Sequence, residues 1–171
     1  DEGWDAPDDP TPEERVKALR DYEVELDRAL AGETPTREDW AWIFIALADT
    51  VQALDIPPQL LRDLLDAFRQ DCVKLRYRDH AEVLDYCRRS ANPIGRLVLI
   101  VHGYRDEQGF AWSDAICTAL QLANFWQDVG VDLRKDGRIY VPEADWATHG
   151  LQREHFDAPV AGPEFRSCLR A

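Results

Sequence analysis

Apolar residues recur along the 171-residue chain at intervals of three and four, the period of a helix that buries one face. Behind the Pro- and Asp-rich opening Asp1 to Pro10, Thr11-Pro12-Glu13-Glu14 supplies an N-cap, a proline at the first helical position and a capping-box glutamate. Val16, Leu19, Tyr22, Leu26 and Leu30 follow as one stripe, which Gly32 can end. Thr36 opens a second helix in the same manner, with Trp40, Ile43, Phe44, Leu47, Val51 and Leu54 as its inner face and Pro57-Pro58 as its stop. A third helix then turns Leu61, Leu64, Leu65, Phe68, Cys72 and Leu75 inward. It carries Asp71 beside that stripe rather than opposite it, which makes Asp71 a candidate catalytic group.

Asp79 and Glu82 form another capping pair, so a fourth helix runs from there through Tyr86-Cys87-Arg88-Arg89-Ser90-Ala91-Asn92-Pro93-Ile94-Gly95. Pro93 removes a backbone donor and clashes with the preceding turn, which predicts a break near Ala91. The small residues Ser90, Ala91 and Gly95 are expected to leave room there for a bulky neighbour or ligand. After a turn containing Gly103 and Gly109, a fifth helix is predicted from Ser113 or Asp114 to Val131. Arg134 to Arg138 reads as a polar loop with an Asp-Gly turn, followed by the apolar Ile139-Tyr140-Val141. The tail from Thr148 to Ala171 reads as a linker into a further helix. No alternating strand pattern and no internal repeat occurs, so the class is all-α, with residues 1–171 as one domain.

Charge narrows the partners. With 33 acidic against 20 basic side chains and no basic stripe, the chain is not built to bind nucleic acid. The apolar run Ala41 to Ala48 is less than half of the roughly 20 residues a membrane-spanning helix needs. Cys72, Cys87, Cys117 and Cys168 form no CxxC or CxxH pair and read as free thiols in a reducing cytoplasm. The absence of any Met and the charged opening suggest an internal piece of a longer protein.

On the fifth helix Gln121, Asn124, Asp128 and Asp132 lie three, four and four residues apart and share one polar stripe. Two carboxylates and an amide oxygen are hard ligands of the kind Mg2+ prefers, with phosphate oxygens and waters completing its octahedron. The plain alternative is a solvated acidic face. Leu120, Leu122, Ala123, Phe125 and Trp126 favour the metal, because they are expected to leave little free surface on this helix.

These residues also carry a family resemblance. Tyr86-Cys87 followed by Ala91 and Gly95 resembles the YCxxVAGxVG segment of squalene and phytoene synthases, and Gln121 to Asp132 resembles their QLxNxxRDxxxD second aspartate motif. Gly137-Arg138-Ile139-Tyr140-Val141-Pro142 is similar to the GRIYLP segment that follows it, and Asp1-Glu2 to the end of the first motif, DDxxDE. The resemblance implies an all-helical isoprenoid-synthase fold, here without its first and last helices, in which two aspartate motifs hold magnesium against a prenyl diphosphate. It implies Asn124, Asp128, Asp132 and Asp1 as metal ligands, Gln121 as a diphosphate neighbour and Tyr86 as a catalytic cavity residue near the reacting carbons. Ala91 and Gly95 would line the substrate's path.

Gln127 stands where the family motif has arginine, and Val131 where it has an acid. Ser90-Ala91-Asn92-Pro93 and Asn124 to Asp128 resemble the bacterial branch of hopanoid synthesis, in which presqualene diphosphate is ionised and the cation is quenched by water to hydroxysqualene. Phytoene synthase, or synthesis of presqualene diphosphate from farnesyl diphosphate, is the enzymatic rival; a non-catalytic helical interaction module is the rival of another class. A cytoplasmic enzyme touching the inner membrane peripherally, to release a lipid product, is the location implied. Arg88 and Arg89 are read as ion-pairing residues, the four histidines receive no role, and Trp40, Trp42, Phe44, Phe68 and Phe110 are read as core.

Overall fold

The computed structural model describes residues 10–158 and 161–170; Asp1 and Glu2 lie outside them. Among the described residues the architecture is all-helical, with ten helices in chain order: α1 (Pro12–Leu30), α2 (Glu38–Ala53), α3 (Pro58–Asp71), α4 (His80–Ser90), α5 (Asn92–Val101), α6 (Glu107–Gln127), α7 (Val129–Asp136), α8 (Glu143–His149), α9 (Arg153–Phe156) and α10 (Pro163–Cys168).

Local signals set the starts of α1 and α4. The Glu14 amide donates to the Thr11 hydroxyl at 3.2 Å and the Thr11 amide to the Glu14 carboxylate at 2.8 Å, closing the predicted capping box. Asp79 caps α4 by accepting from the Glu82 amide at 3.0 Å. Thr36 does not cap α2. Its amide donates instead to the Glu25 carboxylate at 2.7 Å, and its hydroxyl donates to the same group. Glu25 is only 3% exposed, and a buried carboxylate without donors costs more than the ~1 kcal/mol of a lost cap, so α2 begins after Arg37 with no side-chain cap.

Helix α1 packs Leu26 and Ala29 on Phe44 of α2, with Tyr22 stacked on Trp40 at 3.9 Å. Helix α3 crosses α1, α4 and α5, and α6 lies against both α4 and α5. Several side chains expected in the core face outward, among them Trp42 at 70% exposure, Phe68 at 47% and Leu75 at 44%.

The helix carrying the polar stripe differs most from its sequence reading. It begins at Glu107, because the Asp106 carboxylate accepts from the Gly109 amide at 2.6 Å and a Cβ on Gly109 would stand 2.8 Å from that carboxylate. Gly109 therefore belongs to the cap and not to a turn. At the other end the backbone breaks at Asp128 (φ −98°, ψ 8°), and α7 continues through Asp136, so Arg134 and Lys135 are helical rather than in a loop. Gly137, at φ 70°, makes the left-handed exit.

Ile139 to Val141 then runs along the α3–α4 connection, the Ile139 amide donating to Leu75 O at 3.1 Å and the Glu143 amide to Tyr77 O at 2.8 Å. The tail is no linker. Leu151, Phe156 and Phe165 close with Val129, Leu133, Ile139 and Val141 into a core of their own. All four cysteines are free thiols, and no described helix is long and apolar enough to cross a membrane.

Candidate active site

The polar stripe survives the break between α6 and α7. The Asp128 amide donates to Asn124 O and the Asp132 amide to Asp128 O, both at 2.9 Å, so the four-residue ladder continues through Asp128 and keeps the three side chains in one row. The Asn124 side-chain amide donates to Asp128 Oδ2 at 2.7 Å, and Gln121 sits half-buried one turn earlier. Burial raises the Asp132 carboxyl above its ordinary range; the charge of Asp128 adds to this and Arg138 partly offsets it. Asp136, the next residue at the same spacing, pushes in the same direction as Asp128. Sequence reasoning missed Asp136 by placing it in a loop, although the interval of four from Asp132 was there to be seen.

These donors suit a hard divalent cation in part. Two carboxylates one turn apart repel each other, and a cation between them would relieve that repulsion while the Asn124 carbonyl oxygen remains free to join. No group of three His, Cys, Asp or Glu side chains converges among the described residues, so the row supplies part of a coordination sphere only. The expected ligand Asp1 lies outside the described residues. Around the row, α6 is less enclosed than its sequence implies: Phe125 is buried at 3% exposure, whereas Leu120 is 67% and Trp126 40% exposed.

Phe125 points from the row into an aromatic cluster. Its ring stacks on Tyr140 at 3.6 Å, and Tyr86 lies 5.9 Å from Phe125, 5.7 Å from Tyr140 and 5.8 Å from Tyr77. At 4% exposure Tyr86 is packed within this cluster. Its hydroxyl donates to Asp71 Oδ2 at 2.8 Å. Burial, reinforced by Tyr140 and Asp71, raises the Tyr86 phenol far above its usual range and keeps it protonated. Burial likewise raises the Asp71 carboxyl, against the opposing pull of Tyr86 and Arg138.

Arg138 ties these parts together. It is 9% exposed, donates from Nε to Lys74 O at 3.2 Å, from Nη1 to the Tyr140 hydroxyl at 3.2 Å and from Nη2 to Asp71 O, and lowers the pKa of both Asp71 and Asp132. Sequence reasoning quoted Arg138 and Tyr140 within the GRIYLP-like segment but gave neither a role. A cavity of about 890 Å³ opens beside them, lined by Asp71, Cys72, Leu75, Lys135, Asp136 and Arg138 together with Glu13 and Arg15 of α1.

The break at Ala91 is where Pro93 predicts it, with α4 ending at Ser90 and α5 starting at Asn92. At Gly95 the expected space is taken up by α6. A Cβ on Gly95 would overlap Ser113 Oγ and stand 2.5 Å from Cys117 Sγ, so the missing side chain lets α5 lie against α6. Ala91 is half-buried at the kink, and the cavities of about 890, 710 and 570 Å³ are lined by neither Ala91 nor Asp128. Arg88 pairs with Asp85 at 2.9 Å, and Arg89 with Asp66 at 2.5 Å and Asp85 at 2.7 Å, as structural ion pairs do.

Residues 2–171 match the family described as squalene/phytoene synthase. The chain is 39% identical over 147 residues to the hydroxysqualene synthase of Rhodopseudomonas palustris, covering 85% of this chain and 48% of that protein. It is 30% identical over 160 residues to the chloroplastic phytoene synthase of Daucus carota, covering 90% of this chain and 39% of that one. The crystal structure of squalene synthase HpnC from Alicyclobacillus acidocaldarius superposes with a TM-score of 0.79 at 39% identity, over 98% of this chain and 60% of that one. The chain thus spans about half the length of the curated relatives it matches. With the aspartate row, the buried Tyr86 and the GRIY segment all in place, the chain belongs to the squalene/phytoene synthase family.

Proposed function

We propose that this chain forms one metal-binding wall of a magnesium-dependent synthase that ionises a prenyl diphosphate, with presqualene diphosphate as substrate and hydroxysqualene as product. The observation that supports this most is the Asn124, Asp128, Asp132 row, mutually repelling at its carboxylates and backed by an aromatic cluster. Magnesium held there would neutralise the charge that builds on a departing diphosphate.

The chain's own residues account for the rest. Asn124, Asp128 and Asp132 would hold the cation, and Gln121 lies one turn along for a diphosphate oxygen. Arg138, buried between the row and Asp71, adds positive charge toward the anionic leaving group. The Tyr86, Phe125 and Tyr140 rings, packed on one another behind the row, would form the apolar wall beside the cationic carbon and exclude the water that would quench it early. The higher identity to the hydroxysqualene synthase than to the phytoene synthase favours presqualene diphosphate over the substrate of a phytoene synthase. Hopanoid synthesis, in a cytoplasmic enzyme touching the membrane peripherally, is the setting that reading carries.

The test is product analysis. The described segment is grafted in place of its counterpart in the Rhodopseudomonas palustris hydroxysqualene synthase and supplied with presqualene diphosphate and Mg2+. Hydroxysqualene by mass, lost on chelation, is the expected result. A chimera that folds but releases no diphosphate overturns the reading and leaves the interaction module.

A further inference from the structure

Asp71 closes α3 on the wall of the 890 Å³ cavity, and its two carboxylate oxygens are treated differently. Oδ2 accepts the Tyr86 hydroxyl proton at 2.8 Å. Oδ1 is buried with no hydrogen-bond partner. Arg138 Nη1, 3.9 Å away, lies beyond hydrogen-bond reach of it, while the guanidinium donates to Lys74 O, the Tyr140 hydroxyl and the backbone carbonyl of Asp71.

Packing alone gives no reason for a carboxylate here. Asparagine has nearly the same volume and would accept the Tyr86 proton without placing a half-satisfied charge among buried groups. The charge does two things that an amide cannot: it balances the buried Arg138 guanidinium 3.9 Å away, and as a charged acceptor it grips the phenol proton about twice as firmly as a neutral one. With the proton committed to Asp71, the Tyr86 hydroxyl is held in one rotamer within the aromatic cluster.

We propose that Asp71 is a positioning residue that acts through Tyr86: its carboxylate holds the Tyr86 hydroxyl in one orientation and so fixes the ring that the proposed function places beside the cationic carbons. This rests on the placement of Tyr86 beside those carbons in the proposed function. Arg138 fixes the Asp71 backbone from the other side, and Arg89 and Asp136 are the remaining charged groups that act on the carboxyl.

The test is a double-mutant cycle in the chimera described above, read as diphosphate release, together with a titration on the 171-residue chain itself. Tyr86→Phe is expected to lower turnover at unchanged KM. Asp71→Leu should cost about 100-fold in kcat through misorientation of the phenol, and Asp71→Asn about tenfold. In the Tyr86→Phe background both Asp71 variants should cost no more than about twofold, since residues acting as a unit do not add. If Tyr86→Phe lowers turnover and the Asp71 variants are silent or fully additive, this inference falls and the proposed function stands. A silent Tyr86→Phe overturns the placement of Tyr86 and this inference with it. In the chain alone, Tyr86→Phe should raise the Asp71 carboxyl titration, followed at its 13Cγ resonance, because a hydrogen bond that favours the ionised form is removed. An unmoved titration means that the contact is absent and overturns the proposal independently of activity.

Discussion

The side-chain amide of Asn124 donates to Oδ2 of Asp128 across 2.7 Å, one residue at the end of α6 and the other at the break that follows it. Neither group is buried in a core, so both are available to a ligand at little structural expense. Asp128→Asn is therefore expected to abolish diphosphate release in the chimera while shifting unfolding by no more than about 0.5 kcal/mol. Urea denaturation and a diphosphate-release assay at saturating Mg2+ check the two halves, and near-normal turnover would sink the metal assignment.

The 171-residue chain by itself is expected to release no diphosphate from presqualene diphosphate. Its described residues bring together two carboxylates and an amide, and no triad of charged or sulfur ligands. A coupled diphosphate assay that gives a rate comparable with the Rhodopseudomonas palustris enzyme would contradict this.

Glu82 predicts an acid-sensitive contribution to stability. Its carboxylate accepts from Lys74 Nζ at 2.8 Å, from the Arg78 amide at 3.0 Å and from the Arg78 side chain, which holds its pKa down at about 2 against 4.5. A depressed folded-state value means that the stabilisation is complete above pH 4.5 and is lost as pH falls toward 2. The melting temperature of the wild type should exceed that of Glu82→Gln at pH 6, and the gap should close on acidification. A gap that persists at pH 2 would show that Glu82 acts through packing.

Gly95→Ala should destabilise the chain by about 1–3 kcal/mol, although alanine is the better helix former, because the new Cβ would overlap Ser113 and Cys117 of α6. Adding Ser113→Ala and Cys117→Ala should restore stability to the wild-type level or above. Guanidinium unfolding of the single and the combined variant decides this, and a stable Gly95→Ala would return the site to the ligand-cavity reading.

Features that depend on residues a few positions apart were legible in the sequence: the Thr11 capping box, the Asp79 cap and the break before Pro93 each rest on contacts within one turn. What failed depends on partners far along the chain. Thr36 looks like a cap until Glu25, eleven residues earlier, is seen to need its donors. Gly95 looks like space until α6 fills it. Arg138 is a surface cation by composition and becomes a buried tie only because residues 71–75 fold back against it. The aspartate row was legible because its partners share one helical repeat; the backbone break inside it was not, since no proline or glycine marks Asp128 itself.

That break divides the loyalties of the row. Asn124 rides on α6, whose Phe125 is anchored in the tyrosine cluster, while Asp132 rides on α7, whose Val129 and Leu133 are anchored against Phe156 and Phe165. The bite between the amide and the second carboxylate is therefore set by how two separately packed cores are held together, with Asp128 as the pivot. Trimming Phe165, which belongs to the far core and not to the row, would loosen one side of that spacing from the tail, and under the proposed function the hold on a cation would weaken with it.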